Sequence, residues 1–214
     1  LHALPAPDTT APTATPSQSP SANANGWNNS DVTVTWNWTD SGSGVNPANC
    51  TASSTSSGEG EITLNASCKD LAGNTGNASY TVKVDKTAPA ITGSRTPAAN
   101  AAGWNNTDVT VSFGCSDALS GVDSCFSPTT LGEGANQSVT GTVTDKAGNS
   151  ASATVSGINI DKTAPAIAIN SPSNGGSYIL NAAVASNYTC TDALSGVATC
   201  TGTVAGGANI DTAI

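Results

Sequence analysis

The stretch Asp85-Lys-Thr-Ala-Pro89 occurs again, letter for letter, at Asp161-Lys-Thr-Ala-Pro165. A third form, Asp8-Thr-Thr-Ala-Pro12, lies near the start of the chain. The copies lie 77 and 76 residues apart. Self-similarity at a nearly fixed period marks a repeat architecture. The sequence therefore predicts a tandem array of small domains.

Three further phrases follow the same period. They are Gly26-Trp-Asn-Asn29 and Gly103-Trp-Asn-Asn106, Asp70-Leu-Ala-Gly-Asn74 and Asp145-Lys-Ala-Gly-Asn149, and Ser-Gly-Val at residues 43–45, 120–122 and 195–197. Because the phrases keep one order, we divide the chain into a tail at residues 1–7 and three repeats. The repeats span residues 8–86, 87–162 and 163–214.

Hydrophobicity alternates with a period of two in each repeat, which is typical of half-buried β-strands. The residues expected to face inward are Val32, Val34 and Trp36, then Val109, Val111 and Phe113, then Val184, Ser186 and Tyr188. Short strands bounded by Gly, Asn and Asp turns predict a small Greek-key β-sandwich for each repeat. The third repeat lacks counterparts of the second repeat from Val139 onward, so we expect it to be incomplete at its C-terminal strands.

Composition excludes several classes of protein. Of 214 residues only 4% are aromatic and 10% are charged, which favours several small cores over one large core. The net charge of −9 argues against nucleic-acid binding, because phosphate neutralisation needs clustered Lys and Arg. No apolar run approaches the roughly 20 residues of a membrane-spanning helix. His2 is the single histidine, and no catalytic constellation can be assembled around it, so we expect no enzyme and no required cofactor.

The four phrases in this fixed order resemble the bacterial immunoglobulin-like repeats of large secreted and cell-surface proteins. The resemblance covers nearly the whole chain and implies tandem immunoglobulin-like Greek-key β-sandwiches, outside the cell or on its surface. The implied function is a structural stalk or spacer whose partners are neighbouring domains of the same protein or a surface assembly. Alternatives are an adhesive module that binds a glycan or host surface, an accessory region of a secreted enzyme, and a filament subunit completed by strand donation.

Six cysteines without a Cys-x-x-Cys pair indicate three disulfides and an oxidising compartment. Aligned on the repeats, the expected pairs are Cys50 with Cys68, Cys115 with Cys125 and Cys190 with Cys200. The first pair differs from the others because Trp38 stands at the position of Cys115. Six cysteines allow 15 pairings, so the spacing alone does not fix the connectivity. A redox-active or metal-binding thiol pair is the alternative.

Recurring aspartates form the most distinctive polar pattern. In an immunoglobulin-like topology they map to one pole of each domain: Asp8, Asp40 and Asp70, then Asp85, Asp117 and Asp145, then Asp161 and Asp192. Converging carboxylates suit a hard cation such as Ca²⁺, so one hypothesis places Ca²⁺ at the domain junctions. The alternative is that each aspartate caps its own turn, with Lys86, Lys146 and Lys162 balancing the charge.

Two tryptophans and two asparagines complete the candidate residues. Trp27 and Trp104, each flanked by Gly and Asn, suggest a glycan-stacking platform; the alternative is that each covers the end of its own core. Asn28 and Asn105 are the sequons that recur in equivalent turns, and they are the candidates for N-glycosylation.

Overall fold

The computed structural model describes residues 6–212, and all of their regular secondary structure is β-strand, arranged in several sheets. This confirms the predicted all-β class and is consistent with β-sandwiches. Residues 1–5, which hold most of the predicted tail and His2, lie outside the described residues, as do residues 213–214.

Contacts divide the chain into two compact units. The first comprises residues up to Gly93, together with Phe113–Ser127 and Thr140–Ala153. The second comprises Ser94–Ser112, Pro128–Val139 and the residues from Thr154 onward. The division runs through the second repeat, so the three-domain boundaries of the sequence stay a prediction.

The first repeat contains eight of the strands found in residues 6–212. They are β1 (Thr13–Ala14), β2 (Ser17–Ser19), β3 (Thr33–Thr35), β4 (Trp38–Thr39), β5 (Val45–Cys50), β6 (Ser53–Thr55), β7 (Gly60–Asp70) and β8 (Thr75–Val84). They form the antiparallel sheets β2-β3-β6, β5-β7-β8 and β1-β4. Strands β7 and β8 make a long hairpin that pairs from Gly60 opposite Val84 to Lys69 opposite Thr75.

The core of the first repeat lies where the alternating strands predict it. One cluster joins the buried side chains of Val32, Val34 and Trp36 to those of Ala66, Val82 and Val84 on the hairpin. Trp36 is fully buried, and its Nε1 donates a hydrogen bond to Ser54 Oγ at 3.0 Å. The ring therefore adds apolar area to the core without leaving its N–H unpaired.

The second repeat has seven strands and is built around a similar long hairpin. Its strands are β9 (Ala90–Thr96), β10 (Trp104–Asn105), β11 (Val109–Ser116), β12 (Val122–Cys125), β13 (Thr129–Leu131), β14 (Gly134–Asp145) and β15 (Ser150–Ile160). They form the sheets β13-β11-β9 and β10-β15-β14-β12. Its fully buried apolar side chains include Val109, Val111, Val143, Ile158 and Ile160. The last three belong to the two longest strands, β14 and β15.

The third repeat is more open. Its strands are β16 (Ala166–Ser171), β17 (Val184–Ala185), β18 (Asn187–Thr191) and β19 (Asn209–Ile210), paired as β16-β18 and β17-β19. Up to residue 212 it has no counterpart of the β14–β15 hairpin. Ile167 and Ile169 are accordingly 60% and 67% exposed.

All three predicted cysteine pairs are disulfide-bonded. Cys50 on β5 lies opposite Cys68 on β7, while its counterpart Cys125 on β12 lies opposite Val143 on β14. The first repeat therefore uses the same site on the sheet with a different partner, because Trp38 stands where the second repeat has Cys115 on β11.

Candidate functional site

The structure brings six of the eight recurring aspartates into two triads. In each triad, one carboxylate oxygen per residue lies within 4.8 Å of the other two: Asp8, Asp40 and Asp70, and then Asp85, Asp117 and Asp145. In the third repeat, Ser195 joins the remaining two, since its backbone N–H donates to Asp161 Oδ2 at 2.9 Å and its hydroxyl lies 3.5 Å from Asp192 Oδ1.

The Asp-x-Ala-Gly-Asn phrase forms a hairpin turn around a buried carboxylate. Asp145 Oδ1 accepts hydrogen bonds from the backbone N–H groups of Gly148 at 2.7 Å and Asn149 at 2.8 Å. Its Oδ2 accepts from Asn149 Nδ2 at 2.8 Å. Gly148 has φ +98°, a conformation that favours glycine. These requirements explain why Asp, Gly and Asn recur at fixed spacing.

The Ser-Gly-Val phrase belongs to a second capped loop. Asp117 Oδ1 accepts hydrogen bonds from the backbone N–H groups of Leu119 at 3.1 Å and Gly121 at 2.6 Å. Gly121 has φ +81°, and the equivalent Gly44 and Gly196 also have positive φ. The glycine therefore has nearly the same φ in all three repeats, and its backbone N–H donates to the aspartate at the start of the loop each time.

The aspartate that starts the Asp-Lys-Thr-Ala-Pro phrase connects consecutive repeats. Asp85 is fully buried, and its Oδ2 accepts a hydrogen bond from the backbone N–H of Ser120 at 2.9 Å. Its main-chain oxygen accepts one from Asn149 Nδ2 at 2.8 Å. Two loops of the second repeat thus hold the residue that follows β8. Asp8 has the same two kinds of contact, with Ser43 and Asn74.

Backbone donors also act on the charge of these junction aspartates. The N–H groups of Thr10 and Ser43 lower the pKa of Asp8 below its ordinary value. Hydrogen bonds from Ser195 are the main cause of the lowered pKa of Asp161, and Thr163 adds to the effect. Donors that stabilise the ionised form keep both carboxylates negative at neutral pH.

The aspartates of the clusters cap turns, and one of their buried oxygens is left without a partner in residues 6–212. Each of the eight aspartates accepts at least one backbone N–H, so capping describes the observed contacts. The expected charge balance by lysine is not found for Lys86 and Lys162, because they pair with Asp31 and Asp108 outside the triads. Asp40 Oδ2 is buried and has no hydrogen-bond partner within residues 6–212. Such an oxygen fits the hard donor set that Ca²⁺ takes.

Several junction residues were missed by the sequence argument. Asn23 Nδ2 donates to the Lys146 main-chain oxygen at 2.8 Å, which joins a loop of the first repeat to a turn of the second. Glu59 Oε1 accepts from Lys86 N at 2.6 Å, and both Glu59 oxygens accept from the Thr87 hydroxyl. Glu133 accepts equivalently from Thr163. The recurrence of Gly-Glu-Gly at residues 58–60 and 132–134 is the signal in the sequence that points to these two glutamates.

The two recurring tryptophans lie in different surroundings. Both are half-buried, and each backbone N–H is bound by an asparagine side chain, Asn23 for Trp27 and Asn100 for Trp104. Lys83 Nζ lies 5.9 Å from the centre of the Trp27 ring. Trp104 instead lines an open pocket of about 380 Å³ beside Pro97 and Asn100. This pocket leaves room for a ligand beside the Trp104 ring.

The glycosylation candidates serve a structural purpose in the folded chain. Asn28 and Asn105 are 5% and 6% exposed. The Nδ2 of Asn28 donates to the carbonyls of Pro20 and Ser21, and that of Asn105 to Pro97 and Ala98. In the folded repeats, the nitrogen that would carry a glycan is therefore enclosed and engaged.

No family model matches the chain, and no curated protein matches it in sequence. Within residues 6–212, no helix is long and apolar enough to cross a membrane.

Proposed function

We propose that the chain is an extracellular structural spacer, built of tandem immunoglobulin-like domains within a larger surface protein or assembly. The observation that carries the proposal is the junction contact of Asp85, whose carboxylate and main-chain oxygen are both bound by loops of the next repeat. A spacer holds its two ends at a defined distance only when the connections between its domains resist bending. Flexible linkers do not resist bending.

The connecting segments are short, which supports the same function. Strand β8 ends at Val84 and β9 begins at Ala90, while β15 ends at Ile160 and β16 begins at Ala166. At the first junction, Asn23 in the loop between β2 and β3 adds a contact to Lys146. Three disulfides make the chain suited to an oxidising, extracellular environment.

The test compares the tumbling of the first and second repeats by ¹⁵N relaxation in the full chain. With the junction intact, amides of β7 and β14 share one rotational correlation time. Asp85→Ala should separate the two values, because it removes the bond to Ser120. Glu61→Ala, which removes an exposed carboxylate on β7, is the charge-matched control. Independent tumbling in the unmodified chain would falsify the spacer function.

We further propose that the two aspartate triads bind Ca²⁺ and stiffen these joints. Two observations favour it: the convergence of three carboxylates within 4.8 Å and the unpartnered, buried Asp40 Oδ2. Calorimetric titration of the full chain with Ca²⁺ should give saturable heat that Asp40→Asn and Asp117→Asn together reduce. The absence of heat, with an unchanged melting temperature, leaves turn capping as the whole role of the triads.

Glycan binding is the second candidate function, and the open pocket beside Trp104 favours it. The indole face and the amide of Asn100 offer the stacking surface and polar groups that a sugar ring requires. A glycan array should then give a saturable signal that Trp104→Ala abolishes and Trp27→Ala retains. Equal loss in both variants would assign the tryptophans to packing alone.

A further inference from the structure

We propose that Asn25 is a site of spontaneous deamidation, and that opening of the surrounding loop controls the reaction. This loop, residues 23–27, is named here the junction loop. The sequence contains two Asn-Gly pairs, Asn25-Gly26 and Asn174-Gly175. Asparagine is a thermolabile residue, and a glycine after it has no Cβ to hinder attack on the side-chain amide. The proposal does not depend on the spacer function, because it rests only on the contacts of this loop.

The reaction needs only water and converts the amide of Asn25 to a carboxylate. The Gly26 nitrogen attacks Asn25 Cγ and forms a new C–N bond. The Cγ–Nδ2 bond breaks, and ammonia leaves with the proton of the Gly26 N–H. Water then attacks either carbonyl of the succinimide that has formed. This step breaks a ring C–N bond, returns a proton to the nitrogen and leaves aspartate or isoaspartate, whose new carboxyl group ionises.

Both reacting groups are held in the closed junction loop. The Gly26 N–H donates to the Asn23 carbonyl at 2.9 Å. Asn25 Nδ2 lies 3.3 Å from the Lys146 main-chain oxygen and 3.4 Å from Asp123 Oδ1. Asn25 and Gly26 are nevertheless exposed, and no atom of residues 6–212 outside the adjoining chain lies within 4 Å of the place of a Cβ on Gly26. Attack therefore requires the loop to open, but it requires no wider unfolding.

The product no longer fits the closed junction loop. In the closed loop, the side chain of Asn25 is the donor to two acceptors, the carbonyl of Lys146 and the carboxylate of Asp123. An ionised carboxylate has no proton to donate. Its charge would also lie close to that of Asp123, and neighbouring like charges disfavour each other. The reaction therefore turns a transient opening of the loop into a lasting loss of these contacts.

The second repeat contains the matched loop without the reactive amide. Its counterpart of Asn25 is Ala102, while Asn100 stands at the position of Asn23. In both loops, Oδ1 of the first asparagine accepts the same two backbone N–H groups. The loop conformation therefore forms with alanine at this position, which makes Asn25→Ala a suitable control.

The test follows deamidation of the full chain in neutral buffer by peptide mapping and mass spectrometry. Asn174-Gly175 is the internal reference, because neither its side-chain amide nor its glycine N–H has a hydrogen-bond partner within residues 6–212. Asn25 should react more slowly than Asn174 in the unmodified chain. Asn23→Ala removes bonds that hold the junction loop. It should raise the rate at Asn25 by about fivefold or more and leave the rate at Asn174 unchanged.

A second measurement tests the consequence of the reaction without waiting for it. Asn25→Asp reproduces one product. Hydrogen exchange at the amides of Gly26 and Trp27 should be about two- to tenfold faster in Asn25→Asp than in Asn25→Ala, an effect of the size of one lost hydrogen bond. Asp123→Ala should reduce this difference, because it removes the opposing carboxylate.

Three results overturn the proposal. The first is a rate at Asn25 equal to that at Asn174 in the unmodified chain. The second is a rate at Asn25 that Asn23→Ala leaves unchanged, which includes no reaction in either chain. The third is equal hydrogen exchange in Asn25→Asp and Asn25→Ala, which would mean that the closed loop accepts the carboxylate.

Discussion

The first and third repeats place an aromatic residue at the same position, yet its surroundings differ. Trp36 is fully buried in a core closed by the β7–β8 hairpin. Tyr188 lies in an open groove beside two isoleucines that are more than half exposed. The alternation of apolar and polar residues along a strand determines which side chains share a face. The long hairpin determines whether that face is shielded from solvent. Stability should therefore be concentrated in the repeats that contain both.

Truncation of Trp36 should give the largest loss of stability, and the difference from truncation of Tyr188 should be the widest between the two repeats. Trp36→Ala removes a fully buried ring and should lower the free energy of unfolding by about 3–5 kcal/mol. Tyr188→Ala should cost less than about 1.5 kcal/mol, because little of its surroundings can form a cavity. Urea unfolding with hydrogen exchange assigns each loss to its repeat. Equal losses would mean that the groove is closed in solution.

Removal of a disulfide should sharpen the same contrast. Cys115–Cys125 and Cys190–Cys200 both join residues ten apart, so the chain-entropy contribution of each is about 3 kcal/mol. The second repeat has a buried core and should stay folded after this loss of free energy, whereas the third repeat has no such core. The double serine variant at 190 and 200 should therefore lose exchange protection throughout β18, while the variant at 115 and 125 keeps β11 protected. If β11 lost protection and β18 kept it, stability would not be concentrated in the repeats that contain the long hairpin.

Acid should destabilise the Asp161 junction. Its pKa is lowered in the folded chain from the ordinary value of 3.8. A lowered pKa gives a contribution that is present above about pH 4 and lost as pH falls through the folded pKa. As pH falls below about 4, the protection of the Ser195 amide, measured relative to its intrinsic exchange rate, should decrease in the unmodified chain. Asp161→Asn should flatten that dependence, and an unchanged slope would show that the carboxylate does not hold the loop.

The smallest effect is expected at the exposed ion pairs. Lys86 pairs with Asp31 at 2.9 Å and Lys162 pairs with Asp108 at 2.6 Å, at equivalent positions. Exposed pairs contribute about 0.2–1 kcal/mol, so Lys86→Gln and Lys162→Gln should each lower stability by no more than this. Thermal unfolding of each variant at low and high salt measures this loss of stability. A loss as large as that of Trp36→Ala would mean that these lysines hold the junctions.

Local sequence was enough to predict the strands, the inward faces and the cysteine pairs, because these depend on a period of two and on alignment of the repeats. Alignment shows that Asp85, Asp117 and Asp145 recur, while their grouping at one pole depends on the immunoglobulin-like topology that the resemblance implies. The contacts of Asn23 and Glu59 could not be derived, since they join segments that are distant in the chain and depend on how loops meet. The different surroundings of Trp27 and Trp104 depend on Lys83, whose position opposite the ring has no signature in the repeat.

The buried Asp85 has a consequence for how the gene can be cut. Its carboxylate completes a loop of the second repeat, although it follows the last strand of the first. A fragment that starts at Thr87 therefore lacks the aspartate that binds this loop, whereas a fragment that starts at Asp85 contains it. Shuffling or duplication of these modules preserves every joint only when the breakpoints fall just before Asp8, Asp85 and Asp161.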